Sequence, residues 1–128
     1  MKHLKHLALT LLLALGSTLS ANAYDFEVGG IYYNAISLQD LTCEVTYKTD
    51  AYTASYSGAV TIPSSVTYSG KTFRVTSIGA NAFYGCSITS VNIPNSITSI
   101  GERAFQRCEK LTSIIIPNSV TDMGRSAF

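Results

Sequence analysis

Apolar residues recur in a fixed order along the second half of this chain. Ile88, Val91 and Ile93 are followed by Pro94, then by Ile97, Ile100, Gly101, Ala104-Phe105 and Cys108. Leu111, Ile114 and Ile116 open the series again, followed by Pro117, Val120, Met123, Gly124 and Ala127-Phe128. Pro94 and Pro117 stand 23 residues apart, as do Gly101 and Gly124, and Phe105 and Phe128. A more divergent unit precedes them in Ile62-Pro63, Ile78-Gly79, Ala82-Phe83 and Cys86. Here Phe83 to Phe105 and Cys86 to Cys108 are both 22, because one residue is missing between Cys86 and Thr89 relative to the unit that follows. A period of this length marks a stacked repeat array, in which each unit buries its apolar slots only against its neighbours.

The slots within the unit can be assigned. Leu111, Ile114 and Ile116 match the L-x-x-L-x-L spacing of a leucine-rich-repeat strand, and Ile88, Val91 and Ile93 fill the same slots one coil earlier. The last two slots alternate and so share one face of the strand. Proline has no N–H for a ladder bond, so Pro94 and Pro117 end the strand. Ile97 and Ile100, like Val120 and Met123, are expected to point inward from the opposite wall. Gly101 and Gly124 are expected to permit a tight turn. Ala104-Phe105 is expected to form a short helical turn with the phenylalanine at the coil's centre.

Upstream the pattern changes from repeat to hairpin. Phe26 to Tyr33 reads as a hairpin about Gly29-Gly30, and Thr42 to Lys48 alternates as a strand. Val66 to Val75 reads as a second hairpin turning at Ser69-Gly70, and its insertion makes Pro63 to Pro94 31 residues rather than 23. Met1 to Ala23 has the build of a Sec-type signal peptide: Lys2 and Lys5, a short apolar run from Leu7 to Leu15, and Ala21-Asn22-Ala23 before the cut. That run is too short to span a bilayer, which takes about 20 residues. The expected organisation is therefore a signal peptide at 1–23, a β cap at 24–58 and repeats at 59–128. The expected fold class is mainly β: a leucine-rich-repeat solenoid with short helical turns, preceded by a small β-hairpin cap.

Composition narrows the chemistry. Lys2 and Lys5 leave with the signal, so seven basic residues face eight acidic ones in the mature chain. No basic stripe is available for nucleic acid. The two histidines, His3 and His6, both lie in the signal peptide. The mature chain thus has none for a Ser-His-Asp triad, a Cys-His dyad or a histidine zinc site, and no cofactor motif is present. Glu102, Glu109 and Asp122 fall in turn slots and read as solvated charge rather than a carboxylate pair around a sugar cleft. Cys43, Cys86 and Cys108 leave an odd thiol. Export permits a Cys86–Cys108 bridge, but the favoured reading is two small apolar residues in equivalent slots, since side chains stacked in register rarely meet bridge geometry. Cys43 reads as a strand-core residue.

Ile88 to Cys108, Leu111 to Phe128 and, more loosely, Val60 to Cys86 resemble the repeats of BspA-type leucine-rich-repeat surface proteins, roughly L-T-S-V-x-I-P-x-S-V-T-S-I-G-x-x-A-F-x-x-C. The segment YDFEVGGIYYN after the signal looks like the mature start of such proteins. The resemblance implies a curved solenoid, secretion or surface display, and adhesion to host matrix proteins or other cells; it implies no catalytic residue and no enzyme. The sequence has about two and a half repeats, an interrupted first repeat and no C-terminal sorting segment, where the family often has many more repeats. Function is therefore expected as protein–protein interaction or adhesion to host or other cells; the alternative is a purely structural cap or spacer of a larger secreted protein, with binding or catalysis located downstream. Outward slots of the repeat strands, Thr61, Ser90, Asn92, Ser113 and Ile115, form the candidate binding face. The sequence stops at Phe128 inside a coil, so the expectation is a fragment whose open end self-associates.

Overall fold

The computed structural model describes residues 23–128, so the signal-peptide reading lies, apart from Ala23, outside the described residues. Among the described residues nine strands make two sheets: β1 (Phe26–Val28), β2 (Ile31–Ser37), β3 (Thr42–Thr46), β4 (Ser57–Thr61), β5 (Ser65–Tyr68), β6 (Lys71–Ile78), β7 (Ser87–Asn92), β8 (Ser99–Ile100) and β9 (Asp122–Met123). The larger sheet runs β1-β2-β3-β6-β8-β9 with β5 beside β6, and the smaller pairs β4 with β7. The fold is a mainly β repeat fold.

Both hairpins form where the sequence places them. Gly29 and Gly30 sit at φ 60° and 84°, and Ser69 and Gly70 at 50° and 76°. Two consecutive left-handed residues make the turn whose twist suits a two-residue hairpin. The second hairpin is more than an insertion. Its outgoing strand β6 pairs with β5 antiparallel, then takes β3 and β8 as parallel neighbours. The cap's sheet therefore runs without a break into one wall of the coils.

Phe26 ties the layers together in the cap. Its ring stacks on Tyr33 at 5.5 Å and on Tyr68 at 5.0 Å, and tilts against Phe73 at 5.1 Å. In the repeats the aromatic column is regular. Phe83 and Phe105 stack 5.1 Å apart at 3°, and Phe105 and Phe128 5.5 Å apart at 6°. Tyr56 continues the column into the cap, 4.8 Å from Phe83. Its buried hydroxyl donates to the Thr46 carbonyl and accepts from the Tyr32 N–H at 3.1 Å. A large ring is thus fixed at its polar end while its body lies on the first phenylalanine.

The expected helical turn at Ala104-Phe105 is replaced by a chain of β-turns. Ala104, Gln106 and Cys108 donate in succession to Gly101, Arg103 and Phe105, each three residues back, as Ala82, Tyr84 and Cys86 donate to Gly79, Asn81 and Phe83 one coil earlier. Asn81 and Gly85 sit at φ 61° and 64°, as do Arg103 and Arg107 at 56° and 63°, and left-handed residues at this spacing stop a helix from continuing. The freed groups bond between coils instead. Phe83 N–H donates to the Ala104 carbonyl at 2.8 Å and Phe105 N–H to Ala127 at 2.7 Å.

The glycines also act differently from expectation. Gly101 and Gly124 are not among the positive-φ residues. A Cβ on Gly101 would lie 2.5 Å from the Ala80 nitrogen, and one on Gly124 2.3 Å from the Glu102 nitrogen. They are needed because backbone lies on backbone, not because the chain turns. Two further expectations need correction. Met123, expected inward, is 46% exposed, although it pairs with the fully buried Ile100. Leu111, Ile114 and Ile116 form no strand, and only half-bury. The residue added after Cys108 is taken up in a turn closed by Leu111 N–H to the Cys108 carbonyl, 3.1 Å, and the segment beyond does not enter the β4–β7 ladder.

Gly101→Ala should lower unfolding free energy by about 1–3 kcal/mol through overpacking. Phe105→Ala should lower it by about 3–5 kcal/mol through loss of a ring held on both faces. The exposed Ser87→Ala should stay within about 0.5 kcal/mol. Urea denaturation measures all three, and a Gly101→Ala chain as stable as wild type contradicts the close-approach account.

Candidate functional site

The small sheet and the segment that follows it in the stack present one outward wall. Parallel pairing sets Ala59 beside Ser90, Val60 beside Val91 and Thr61 beside Asn92. Ile62, Ile88 and Ile93 are buried behind the wall, which fixes the alternate positions outward. Thr61, Ser90, Asn92, Ser113 and Ile115 are all exposed, Ile115 at 85%. An isoleucine that open to water gains no burial energy within the chain.

The wall is split. Between β7 and the unpaired segment at 113–118 lies an open cleft of about 640 Å³. Ser90, Asn92, Ser113 and Ile115 line it, with Ile114 and Ile116 beside them. Thr61 lies outside it, one strand away. No charged side chain lines the cleft. Its contacts are therefore hydroxyls and amides, each able to donate and accept, over an aliphatic floor. The sequence pattern placed the five residues on one side but did not show the cleft. Its one sequence signal is the extra residue between Cys108 and Leu111.

Thiol chemistry has little scope. Cys43, Cys86 and Cys108 are all free. Burial, with the neighbouring Glu44 charge, pushes the Cys43 thiol up to about 12. Burial, with Cys86 alongside, pushes Cys108 up to about 11, and burial also raises Cys86. Cys108 Sγ points at the Phe83 carbonyl oxygen, 2.9 Å away. A thiol held protonated is a poor nucleophile and a poor metal ligand. Among the described residues no three His, Cys, Asp or Glu side chains gather closely enough to hold a metal. Glu102 meets Arg103 at 3.7 Å on the surface, an exposed pair worth little.

Coils of this length, stacked on parallel ladders with an outward polar wall, define a leucine-rich-repeat solenoid. Residues 76–128 match the model described as BspA type leucine-rich repeat region, and this repeat region belongs to that family. A leucine-rich repeat protein from Bacteroides ovatus is similar at 38% identity and TM-score 0.70, over 82% of this chain and 27% of that one. A leucine-rich cell surface protein from Faecalibacterium prausnitzii is similar at 28% identity and TM-score 0.63, over 88% of this chain and 29% of that one. A leucine-rich repeat protein from Bacteroides capillosus is similar at 26% identity and TM-score 0.61, over 84% of this chain and 94% of that one. The chain thus spans less than a third of the first two relatives. No curated protein matches the chain.

The raised thiols bear on stability. Cys43 moves from 9.0 to about 12 on folding, so the native state keeps a proton that the unfolded chain has released. Its contribution is complete below about pH 9 and is lost as pH rises through about 12. Buried Tyr33 and Tyr56, both raised by burial, act in the same direction. Urea midpoints should therefore fall from pH 9 upward. At pH 8 a thiol reagent should leave Cys43 unmodified in the folded protein and label all three cysteines after denaturation. Rapid native labelling of Cys43 contradicts this.

Proposed function

We propose that the chain supplies a non-catalytic, protein-binding module of a secreted or cell-surface protein, and that it takes part in adhesion to host matrix or to other cells. The observation that carries the reading is the outward wall with its uncharged cleft, where Ser90, Asn92, Ser113 and Ile115 converge. Membership of the repeat family and the likeness to a leucine-rich cell surface protein support it. Concave or laddered walls of stacked repeats are the surfaces solenoids offer to partners. An uncharged lining suits a partner recognised by backbone amides and apolar side chains rather than by ion pairs. It does not suit the phosphate backbone of nucleic acid. The alternative is a cap or spacer that starts the array while binding occurs elsewhere.

Phe128 is 51% exposed and Met123 46%. Apolar surface of this kind favours association, so a preparation of residues 24–128 should elute above monomer mass on size exclusion with light scattering.

Substitution of the wall is the direct test. Residues 24–128, immobilised and exposed to host matrix proteins, should bind, and Ser113→Lys with Ile115→Lys should weaken binding at least about tenfold. Both residues are exposed, so the fold should persist. Binding unchanged by the double substitution supports the spacer reading instead.

A further inference from the structure

We propose that a second cleft, bounded by Tyr52, Tyr84, Arg107, Glu109 and Lys110 and sharing no residue with the first, is a binding site for a carboxylated sugar. Tyr52 is 65% exposed, although it is a large aromatic residue. It does not hang free. Its ring meets Tyr84 edge to face, 5.3 Å between centroids at 86°. The loop that carries it is locked by Asp50, whose carboxylate accepts from the Tyr52 N–H at 2.9 Å and from the Thr53 hydroxyl at 2.7 Å. An aromatic face held open to water by a local network is pre-organised for a flat apolar surface, and the C–H face of a pyranose is one.

The opposite side of the cleft comes from the next coil. Its residues are Arg107, Glu109 and Lys110, and the open cleft measures about 430 Å³, within the size range of small-ligand sites. The turn closed by Leu111 N–H to the Cys108 carbonyl fixes Glu109 and Lys110 at its tip. That turn contains the residue by which this coil exceeds the one before it. Arg107 occupies the slot that Gly85 fills one coil earlier, at φ 63° against 64°. Glycine takes this conformation without strain and arginine does not, so the side chain stands there at a cost to the backbone.

The three charges narrow the ligand. Arg107 and Lys110 favour an anion, and arginine suits a carboxylate in two-point contact. Glu109 beside them disfavours any anion, and only a ligand whose hydroxyls donate hydrogen bonds to it offsets that repulsion, which inorganic phosphate does less well than a sugar acid. A ligand that carries one carboxylate, several hydroxyls and an apolar ring face satisfies all five side chains at once. A neutral sugar leaves the two cations unused.

The test is ligand-observed NMR on residues 24–128, which tolerates self-association, with sialyllactose and glucuronate as probes, lactose as the neutral comparison and inorganic phosphate as competitor. Saturable binding of at least one acid is expected, with lactose at least about tenfold weaker and phosphate unable to displace the acid. Tyr52→Ala and Lys110→Gln are exposed changes that should keep the circular dichroism spectrum, and each should weaken binding about tenfold. The proposal is overturned if neither acid saturates by about 20 mM, if lactose binds as well, if phosphate displaces the acid, or if both variants bind like wild type.

Discussion

Successive coils of this chain lie backbone against backbone, and the rest of the structure depends on that approach. At Gly79, Gly101 and Gly124 any added Cβ would fall within 2.9 Å of a neighbouring backbone atom. The tight column lets Gly101 N–H reach the Ile78 carbonyl and Gly124 N–H reach Ile100, both at 2.8 Å. With that distance set, the phenylalanines stack near-parallel and the turn wall bonds coil to coil. Parallel ladders, turn ladders and ring stacking all require one spacing, close to the strand separation of a sheet. A coil has no such partners within itself, so stability is held between coils.

The cap is built to meet this demand. The first coil needs a neighbour for its wall and for its ring. β3 supplies the wall by pairing with β6, and Gly79 N–H bonds to the Val45 carbonyl at 2.8 Å, as later coils bond to one another. Tyr56 supplies the ring. A residue with a hydroxyl serves here where phenylalanine serves inside the array, because the cap must also satisfy buried polar groups that no further coil would cover.

Much of this was legible in the sequence, and the failures share one cause. Strict periods at Phe105 and Phe128 and at Pro94 and Pro117 marked the coils, and Gly29-Gly30 and Ser69-Gly70 marked the hairpins, since these signals are local. The role of Gly101 was misread because a turn and a close approach both call for glycine, and only the neighbouring coil distinguishes them. The helical turn at Ala104-Phe105 gave way because Arg103 and Arg107 take left-handed backbone, and the alternate N–H groups bond to the next coil. The strand expected at Leu111 to Ile116 kept its pattern but not its ladder, because pairing with β7 is a contact between coils that no local residue pattern reports. The five outward residues of the wall were legible from alternation alone. The cleft among four of them was not, because it arises from the missing ladder between β7 and that segment.

Recognition on this account follows from where stacking stops being regular. β7 is held in a parallel ladder with β4, and the unpaired segment beyond it leaves the uncharged opening on which the proposed reading rests. Hydrogen exchange followed by NMR on residues 24–128 tests this division most directly. The amides of Phe83, Gly101, Phe105 and Gly124 should exchange slowly, at rates set by global unfolding, while those of Ser113, Ile114 and Ile115 exchange orders of magnitude faster. Equal protection across both groups would mean that the segment closes onto β7 as a regular strand, and the cleft on which the binding reading rests would not exist.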